Sequence, residues 1–400
     1  MPRPFHFALS LLFSVAVCVQ AGLAQTAMVA PFANRSGEAK LNWIGESIAE
    51  TVRAALDREQ MPVIAREERQ RYTSRLSLKS SAPLTLASLI KITEAVSANT
   101  LIWGDYDVTP AANGNAGDKA TETGAAQRQI RITVRLYGTN PASEQLNTTE
   151  AGALEDLATL ERAVAWAVFR AAQPRTRVTQ AEFENRHPAR KVNALENYVR
   201  GLLAAKPDQR HRYFTQAVRI EPNFDEALFE LGLMHWREEA FSQAAGWFTK
   251  VSPGAAEYLQ ALFLAGCSQF HQGDSGAALK SFSELLLRVP EAPEVRNNVA
   301  AAQLPFDAAS ATETFAKLVA ESPGDPDYLF NYGYALWSQG QFEKAAELFR
   351  AVLDRTPNEG DSILMLGRCL KKSGPRPGDL RTAGLQRLIE DWQAGTRRLP

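Results

Sequence analysis

Residues 326–359 read PDYLFNYGYALWSQGQFEKAAELFRAVLDRTPNE, and this stretch decides the fold of the C-terminal half of the chain. Small and large residues alternate in it in a fixed order, at Gly333, Leu336, Gly340, Ala345, Phe349 and Pro357. The small residues let two helices cross closely, and the large ones fill the space around that crossing. Proline ends the second helix because it lacks an N–H and clashes with the preceding turn. The pattern therefore predicts a helical hairpin.

The same register recurs along residues 191–400, which indicates a repeat architecture. Gly232 and Gly266 lie 34 residues apart, as do Gly333 and Gly367. Further markers of the register are Gly201, Phe214, Ala217, Pro222, Ala244, Phe248, Ala278, Phe282, Pro290, Ala311, Phe315 and Pro323. The pattern resembles that of tetratricopeptide repeats (TPRs). It predicts about six hairpins stacked as an all-α superhelical solenoid.

The last repeat is interrupted by the helix-breaking run 375–378, so its second helix must restart later. We expect Asp379 to be the N-cap of a capping helix. The apolar residues of this predicted helix recur at helical spacing, at Leu380, Leu385, Leu388 and Trp392.

A stack of hairpins forms a concave groove along the first helix of each pair, which suits an extended or helical peptide. The candidate partner-binding residues are aromatic and basic side chains on these helices: Phe229, Trp236, Phe263, Phe270, Phe330, Tyr334, Trp337, Arg368 and Lys371. Tyr334 is the first candidate for exposure in the groove. Two alternatives stay open, because the aromatic residues also suit packing within hairpins and the basic ones also suit a solvated face.

Residues 25–172 follow a different pattern. Apolar periodicity predicts strands at 28–32, 62–65, 100–108 and 130–137, and helices near 44–56, 86–96 and 154–168. The charged run 66–71 is typical of a solvated helix face, and the Gly-, Asn- and Thr-rich residues 110–126 predict a mobile hairpin loop. The order of elements predicts an α+β module, in which helices pack against a mixed sheet.

Four segments of this module are similar to TolB N-terminal-like modules, which are related in fold to the CsgG type. They are MVAPFANRSGEAKLNWIGESIAETVRAAL (28–56), MPVIAREE (61–68), LIWGDYDV (101–108) and RQIRITVRLYGT (128–139). The clearest marks of this resemblance are Pro31-Phe32 and Gly104. The chain departs from the family in its inserted 110–126 loop and in lacking a tryptophan after the last strand. The resemblance implies a non-catalytic interaction module of the kind found beside TPR arrays in bacterial envelope and signalling proteins.

The first 24 residues predict a signal peptide that is cleaved after Ala24. They contain Arg3, an apolar run at 7–19, and small residues at Gly22 and Ala24. An uncleaved anchor and a lipoprotein attached at Cys18 are the alternatives. We therefore expect a periplasmic or secreted protein with no integral span in the mature chain. Residues 173–190, polar and containing two prolines, predict a linker between the module and the array.

The residues that carry chemistry show no catalytic pattern. Histidines stand outside any metal-ligand spacing, and no nucleophile motif or phosphate-binding glycine loop occurs. Cys267 and Cys369 are about three repeats apart, too far for a disulfide, and are expected to pack as small buried residues. The net charge of −1 gives no field that attracts nucleic acid. The sequence thus predicts no enzyme, no cofactor and no metal.

The leading hypothesis is an exported, non-enzymatic scaffold that binds a protein or peptide in its TPR groove within the cell envelope. The alternative is an oligomerising subunit of an outer-membrane or secretion assembly, which would self-associate through the α/β module.

Overall fold

The computed structural model describes residues 26–75, 84–110, 128–139, 142–378, 382 and 384–392. The predicted signal peptide with Cys18, residues 111–126 of the predicted loop, Asp379 and Leu380 lie outside this part of the chain. The N-terminal region contains, in order, β1 (Ala27–Val29), β2 (Ala33–Asn34), α1 (Trp43–Arg58), α2 (Arg66–Arg75), α3 (Leu86–Ala95), β3 (Thr100–Pro110), β4 (Arg128–Thr139), β5 (Ala142–Ala153) and α4 (Leu157–Ala172).

The sheet is mixed and is built around β3. β1 and β2 pair with β3 in parallel, whereas β4 pairs with β3, and β5 with β4, in antiparallel fashion. Adjacent residues of β3 point to opposite faces. Leu101 packs with Leu89 and Ile92 of α3, and Ile102 joins the larger core beneath α1 and α4. The predicted α+β class, a mixed sheet with packed helices, is confirmed.

Two strands differ from the sequence prediction. The segment predicted as a strand at 62–65 makes only a single bridge, between Val63 and Ala27. β5 is missing from the prediction, although it pairs with β4 along most of its length. Leu146 is its only large apolar residue, because β5 ends the strand order and its side chains stay partly exposed. Such a strand carries little of the hydrophobic alternation by which strands are predicted.

Phe32 explains two of the sequence marks of this module. A Cβ on Gly45 would lie 2.1 Å from the Phe32 carbonyl oxygen, and one on Gly104 would lie 2.4 Å from the Phe32 ring. The ring is buried where β3 passes α1. The Pro31-Phe32 pair and Gly104 are therefore two halves of one close contact between strand and helix.

Helix α2 corrects the prediction of a wholly solvated helix face at residues 66–71. Arg66 and Arg69 are buried, and both form ion pairs with the buried Glu46 of α1. Arg66 also donates to the carbonyl oxygen of Leu202, 2.8 Å away, and Arg69 donates to that of Val29. The two arginines are buried because a carboxylate and backbone carbonyls satisfy their donors.

The remaining elements are helical. They are α5 (Gln180–Arg186), α6 (Val192–Leu203), α7 (Pro207–Ile220), α8 (Asp225–Arg237), α9 (Phe241–Phe248), α10 (Tyr258–His271), α11 (Ser275–Leu286), α12 (Pro293–Gln303), α13 (Ala308–Glu321), α14 (Pro326–Ser338), α15 (Phe342–Leu353) and α16 (Gly360–Leu370). From α6 to α15 consecutive helices pair as hairpins, and α16 is the first helix of a further unit. The predicted all-α TPR-like solenoid is confirmed.

One contact recurs in four hairpins: a glycine of the first helix faces a phenylalanine of the second. A Cβ at the glycine would lie 2.5 to 3.1 Å from the nearest atom of that ring. The pairs are Gly201 with Phe214, Gly232 with Phe248, Gly266 with Phe282 and Gly333 with Phe349. The small and large positions read from the sequence are therefore two sides of one packing contact.

The predicted linker is folded rather than an open hinge. Thr179 and Glu182 form a capping box at the start of α5, and Phe183 of that helix is fully buried. Phe183 belongs to a core that runs without a break from Ile44 in α1 to Leu231 in α8. The sequence did not reveal this contact, because residues 173–190 are mostly polar and a single aromatic residue secures the segment.

Candidate peptide groove

Of the residues after the breaker run, those that the structure describes do not form the predicted capping helix. Residues 385–392 have no helical structure, and lie along the first helices of three hairpins, α14, α12 and α10. We call residues 382 and 384–392 the tail, and the face formed by α10, α12 and α14 the groove. The stripe Leu385, Leu388 and Trp392, predicted to face one side of a helix, belongs to an extended segment.

Asparagine side chains hold the tail backbone. The Asn331 carboxamide accepts from the Arg387 N–H and donates to the Arg387 carbonyl, both at 2.7 Å. The Asn298 carboxamide likewise accepts from the Ile389 N–H at 2.9 Å and donates to the Ile389 carbonyl at 3.0 Å. In an extended chain the N–H and C=O of alternate residues point to the same edge. Each carboxamide therefore takes the place of a neighbouring strand.

A third asparagine joins the two bonded sites. Asn297 donates to the Arg387 carbonyl at 2.9 Å and accepts from Asn331 at 2.9 Å. It also donates to the Asn298 side-chain oxygen at 3.1 Å. All three asparagines are fully buried beneath the tail. Such a connected network is favourable while every member has a partner, and the tail backbone supplies the partners that the asparagines lack among themselves.

The Arg387 side chain occupies an acidic and aromatic subsite. One of its terminal nitrogens lies 2.9 Å from Glu359, and the other lies 3.2 Å from Asp327. The guanidinium carbon sits 4.0 Å from the centre of the Phe330 ring. Burial acts to raise the pKa of Glu359, but hydrogen bonds from Ser362 and the charge of Arg387 lower it below its usual range. This subsite suits a planar cation that is always charged.

The far end of the tail packs on α10. The Trp392 ring lies 5.0 Å from the Phe263 ring, and the Trp392 carbonyl accepts from Gln260 at 3.0 Å. Glu390 pairs with His271 at 2.6 Å. Leu385, Leu388 and Ile389 pack, half-buried, against the array core. The tail therefore combines backbone bonds with apolar contacts at spaced side chains, as bound extended peptides do.

Tyr334, predicted to be exposed in the groove, lies in the groove but is buried there. Its hydroxyl donates to the Thr382 carbonyl at 2.8 Å, and burial raises its pKa. Trp337 is almost fully buried, lies with its ring tilted against that of Tyr334, and donates its indole N–H to the Ser373 carbonyl at 2.8 Å. Trp337 thus secures the segment before the tail.

The other aromatic candidates divide between the groove and the hairpins. Phe330 and Phe263 contact the tail, and Phe270 lines the cleft of about 690 Å³ beside Arg387 and Leu388. Phe229 packs 5.6 Å from Phe248 inside its own hairpin. Trp236 contacts Phe241 and His271 nearer the start of the array. The structure therefore brings together the candidates of α10 and α14, and leaves those of α8 apart.

The basic candidates lie in α16 and directly after it. Arg368 is buried in α16, whereas Lys371 is exposed after the end of that helix. Lys372, beside them, pairs with Glu343 at 2.9 Å. These contacts do not join the three side chains into one anion-binding site.

The sequence reasoning missed the asparagines. Asn297 and Asn331 are 34 residues apart, so they occupy equivalent positions of neighbouring repeats. A carboxamide inside an otherwise apolar helix is costly unless it is bonded. Recurrence of asparagine at the repeat length was therefore the available signal.

Within the described residues, no helix combines the length and apolar character needed to cross a bilayer. The same part of the chain contains no group of three His, Cys, Asp or Glu side chains suited to a metal ion. Cys267 and Cys369 are buried and free, as predicted, and burial raises the pKa of both thiols.

Two family models described as tetratricopeptide repeat match residues 260–292 and 307–360. No curated protein matches the chain. Similar solved structures include a protein described as YrrB, a TPR protein with an unusual peptide-binding site, at 17% identity and a TM-score of 0.39, covering 44% of this chain and 92% of that one. MamA from Desulfovibrio magneticus RS-1 has 20% identity and a TM-score of 0.36, covering 40% and 92%. A thermophilic TPR protein of Thermus thermophilus has 14% identity and a TM-score of 0.32, covering 44% and 99%. The chain therefore contains TPRs.

Proposed function

We propose that this TPR-containing chain is a non-enzymatic, exported interaction protein whose groove binds an extended segment of a partner protein. The observation that carries the proposal is a pair of backbone contacts. The Asn331 carboxamide hydrogen-bonds both the N–H and the C=O of Arg387, and the Asn298 carboxamide does the same with Ile389. This bonding satisfies main-chain groups at alternate residues, which any extended chain presents. Export rests on the signal-peptide pattern of residues 1–24.

The folded module and array suit a scaffold. The buried ion pairs of Arg66 and the buried Phe183 secure the module against the first hairpins. We propose that the module, through its resemblance to TolB N-terminal-like modules, offers a second partner-binding surface. A rigid connection would then hold two partners at a set distance.

A crosslinking capture from the native envelope fraction tests this function. We compare the wild type with Asn298→Ala/Asn331→Ala, and use Asn223→Ala as the matched control because Asn223 is an exposed asparagine of the array outside the groove. A partner bound by the wild type and the control, but lost from the double variant, supports the proposal. A partner retained by all three variants would contradict the groove as the binding surface.

Localisation and oligomeric state are tested separately. Cell fractionation, with the mature N-terminus sequenced, should find the chain outside the cytoplasm and starting at Gln25. Size-exclusion chromatography with light scattering tests the alternative function, that of an oligomerising subunit. A constant monomer mass across micromolar concentrations removes that alternative.

A further inference from the structure

We propose that the tail is an autoinhibitory ligand that closes the groove in the resting chain, and that a partner enters by displacing it with an extended segment carrying arginine at the Arg387 position. The inference rests on the proposed function and adds to it the chemistry of the ligand and the way its binding is controlled.

The tail's contacts are those of a ligand rather than of a terminal cap. A cap would cover the end of the array at α16, whereas the tail turns back and crosses α14, α12 and α10. Its bonds to the asparagines join residues 56 to 91 positions apart in the chain. The end of the chain therefore lies on the face that the solenoid leaves for a partner.

The backbone contacts are exchangeable. Asn298 and Asn331 bond only N–H and C=O groups of the tail, which every extended peptide offers in the same spacing. A second chain in the same pose would restore the network without any change in the groove. The buried asparagines thus favour an occupied groove but do not select the tail's sequence.

Selectivity comes from the side chains. Asp327 and Glu359 flank Arg387, and Phe330 lies beneath its planar group. Carboxylates paired with a stacked aromatic ring favour arginine over lysine, whose ammonium lacks the planar fork. The contact of the Trp392 ring with the tilted Phe263 ring adds an aromatic site five residues further along. The expected ligand is therefore an extended segment with arginine and, five residues later, an aromatic residue.

The tail is connected in a way that permits release. Residues 375–378 contain two prolines and lie between α16 and the tail, and Gly378 and Gly384 adopt positive φ. These residues can change direction without unwinding α16. A ligand tethered to the same chain acts at an effective concentration on the order of 1 mM, and the apparent affinity of a free competitor is its intrinsic affinity multiplied by the fraction of time that the groove is free.

The test uses the full chain and a fluorescent synthetic peptide, TAGLQRLIEDW, which has the sequence of residues 382–392. Affinity is measured by anisotropy for the wild type, for Arg387→Ala, and for Arg376→Ala as the control in the segment before the tail. Weakening the chain's own tail with Arg387→Ala should tighten peptide binding at least tenfold, whereas Arg376→Ala should leave it unchanged. Arg387→Lys should give an intermediate affinity.

Two further arms identify the site. A peptide with alanine at its arginine should bind the Arg387→Ala chain at least tenfold more weakly than the parent peptide. Adding Asn298→Ala/Asn331→Ala to the Arg387→Ala chain should abolish binding. Circular dichroism checks that each variant is folded. Equal affinity of the wild type and Arg387→Ala, or no binding by a folded Arg387→Ala chain, would overturn the inference.

Hydrogen exchange on the full-length wild type gives a second measurement. The amides of Arg387 and Ile389 should be protected in the wild type and lose protection in Asn298→Ala/Asn331→Ala or when excess peptide is added. Unprotected tail amides in the wild type would also overturn the inference. Peptide exchange, together with a partner that all three capture variants retain, would instead keep the tail as a displaceable ligand of the groove and reject the groove as the partner-binding surface, so the two failures are distinguishable.

Discussion

At the scale of single residues, the packing of the array depends on glycines at which a single added Cβ atom would clash with a neighbouring ring. Gly266 faces Phe282 so closely that an added Cβ would lie 2.5 Å from the ring. Gly246, in α9, has open space around its Cα instead. The same substitution at the two glycines therefore separates packing from helix propensity.

We expect Gly266→Ala to lower the free energy of unfolding by about 1–3 kcal/mol, because the ring must leave its place. The matched change Gly246→Ala should be neutral or stabilise by about 0.5–1 kcal/mol, because alanine loses less backbone entropy than glycine in a helix. Urea unfolding followed by circular dichroism measures both. Equal effects at the two sites would show that the glycine–phenylalanine contact is loose.

Glu161 of α4 is a second residue whose surroundings set its behaviour. It lines a cavity of about 90 Å³ between the module and the first array helices. Thr51 donates to one of its oxygens at 2.7 Å. Burial outweighs this hydrogen bond and raises the pKa of Glu161 to about 7. At a pH between its unfolded and folded pKa values, Glu161 is therefore protonated in the folded chain and ionised in the unfolded chain.

The stability contributed by protonated Glu161 is fully present below its unfolded pKa, near 4.5, and is lost as the pH rises through about 7. Glu161→Gln keeps an acceptor for Thr51 and cannot ionise. We expect it to stabilise the chain by up to about 3 kcal/mol at pH 8 and to have little effect at pH 4.5. Thermal unfolding across this range, with exposed Glu155→Gln as control, measures the difference. If Glu161→Gln stabilised the chain equally at every pH, Glu161 would not titrate over this range.

At the scale of elements, α2 joins the module to the array through its buried arginines. The Glu46 carboxylate forms ion pairs with both Arg66 and Arg69. Arg66 also donates a hydrogen bond to the carbonyl oxygen of Leu202 at the end of α6. Burial opposes ionisation of Glu46, but the two arginines hold its pKa below the usual range. The ion-pair network is therefore charged at neutral pH.

Removing the charge of Glu46 leaves two buried cations without their shared carboxylate. We expect Glu46→Gln to destabilise the chain by about 3–5 kcal/mol at pH 7, since breaking one side of a buried pair exposes the desolvation cost of the other. The effect should shrink as the pH falls through the lowered pKa, because the wild type then loses the same charge. Glu94→Gln on the exposed side of α3 is the control in chemical denaturation. A loss below about 1 kcal/mol would reject the network as a structural link.

At the scale of the whole molecule, the module and the first hairpins share one core. Phe183 of α5 packs with Phe169 of α4, with ring centres 5.5 Å apart, and the same cluster extends to Phe214 in α7. A shared core couples the stability of the parts it joins. The two regions should therefore unfold together, although their sequence patterns differ.

We expect a single unfolding transition for the module and the first hairpins, and Phe183→Ala to lower its free energy by about 3–5 kcal/mol. Hydrogen exchange resolved by region measures it, since peptides from β4 and from α6 should open with the same free energy. Phe342→Ala, which removes a half-buried ring packed against the core of the later hairpins, is the control. Opening of β4 before α6 in the wild type would show that the module is an independent unit.

The sequence by itself determined the fold class of the two regions and the hairpin packing, because these depend on local periodicity and on small and large residues at repeat spacing. The resemblance of the module, the signal peptide and the two-region boundaries stay predictions. Tertiary structure alone decided three features: the burial of Arg66 and Arg69 by Glu46, the anchoring of the supposed linker by Phe183, and the tail in the groove. Each depends on partners far apart in the chain. The tail's apolar spacing fits a helix, yet its backbone bonds to Asn298 and Asn331 on other helices hold it extended.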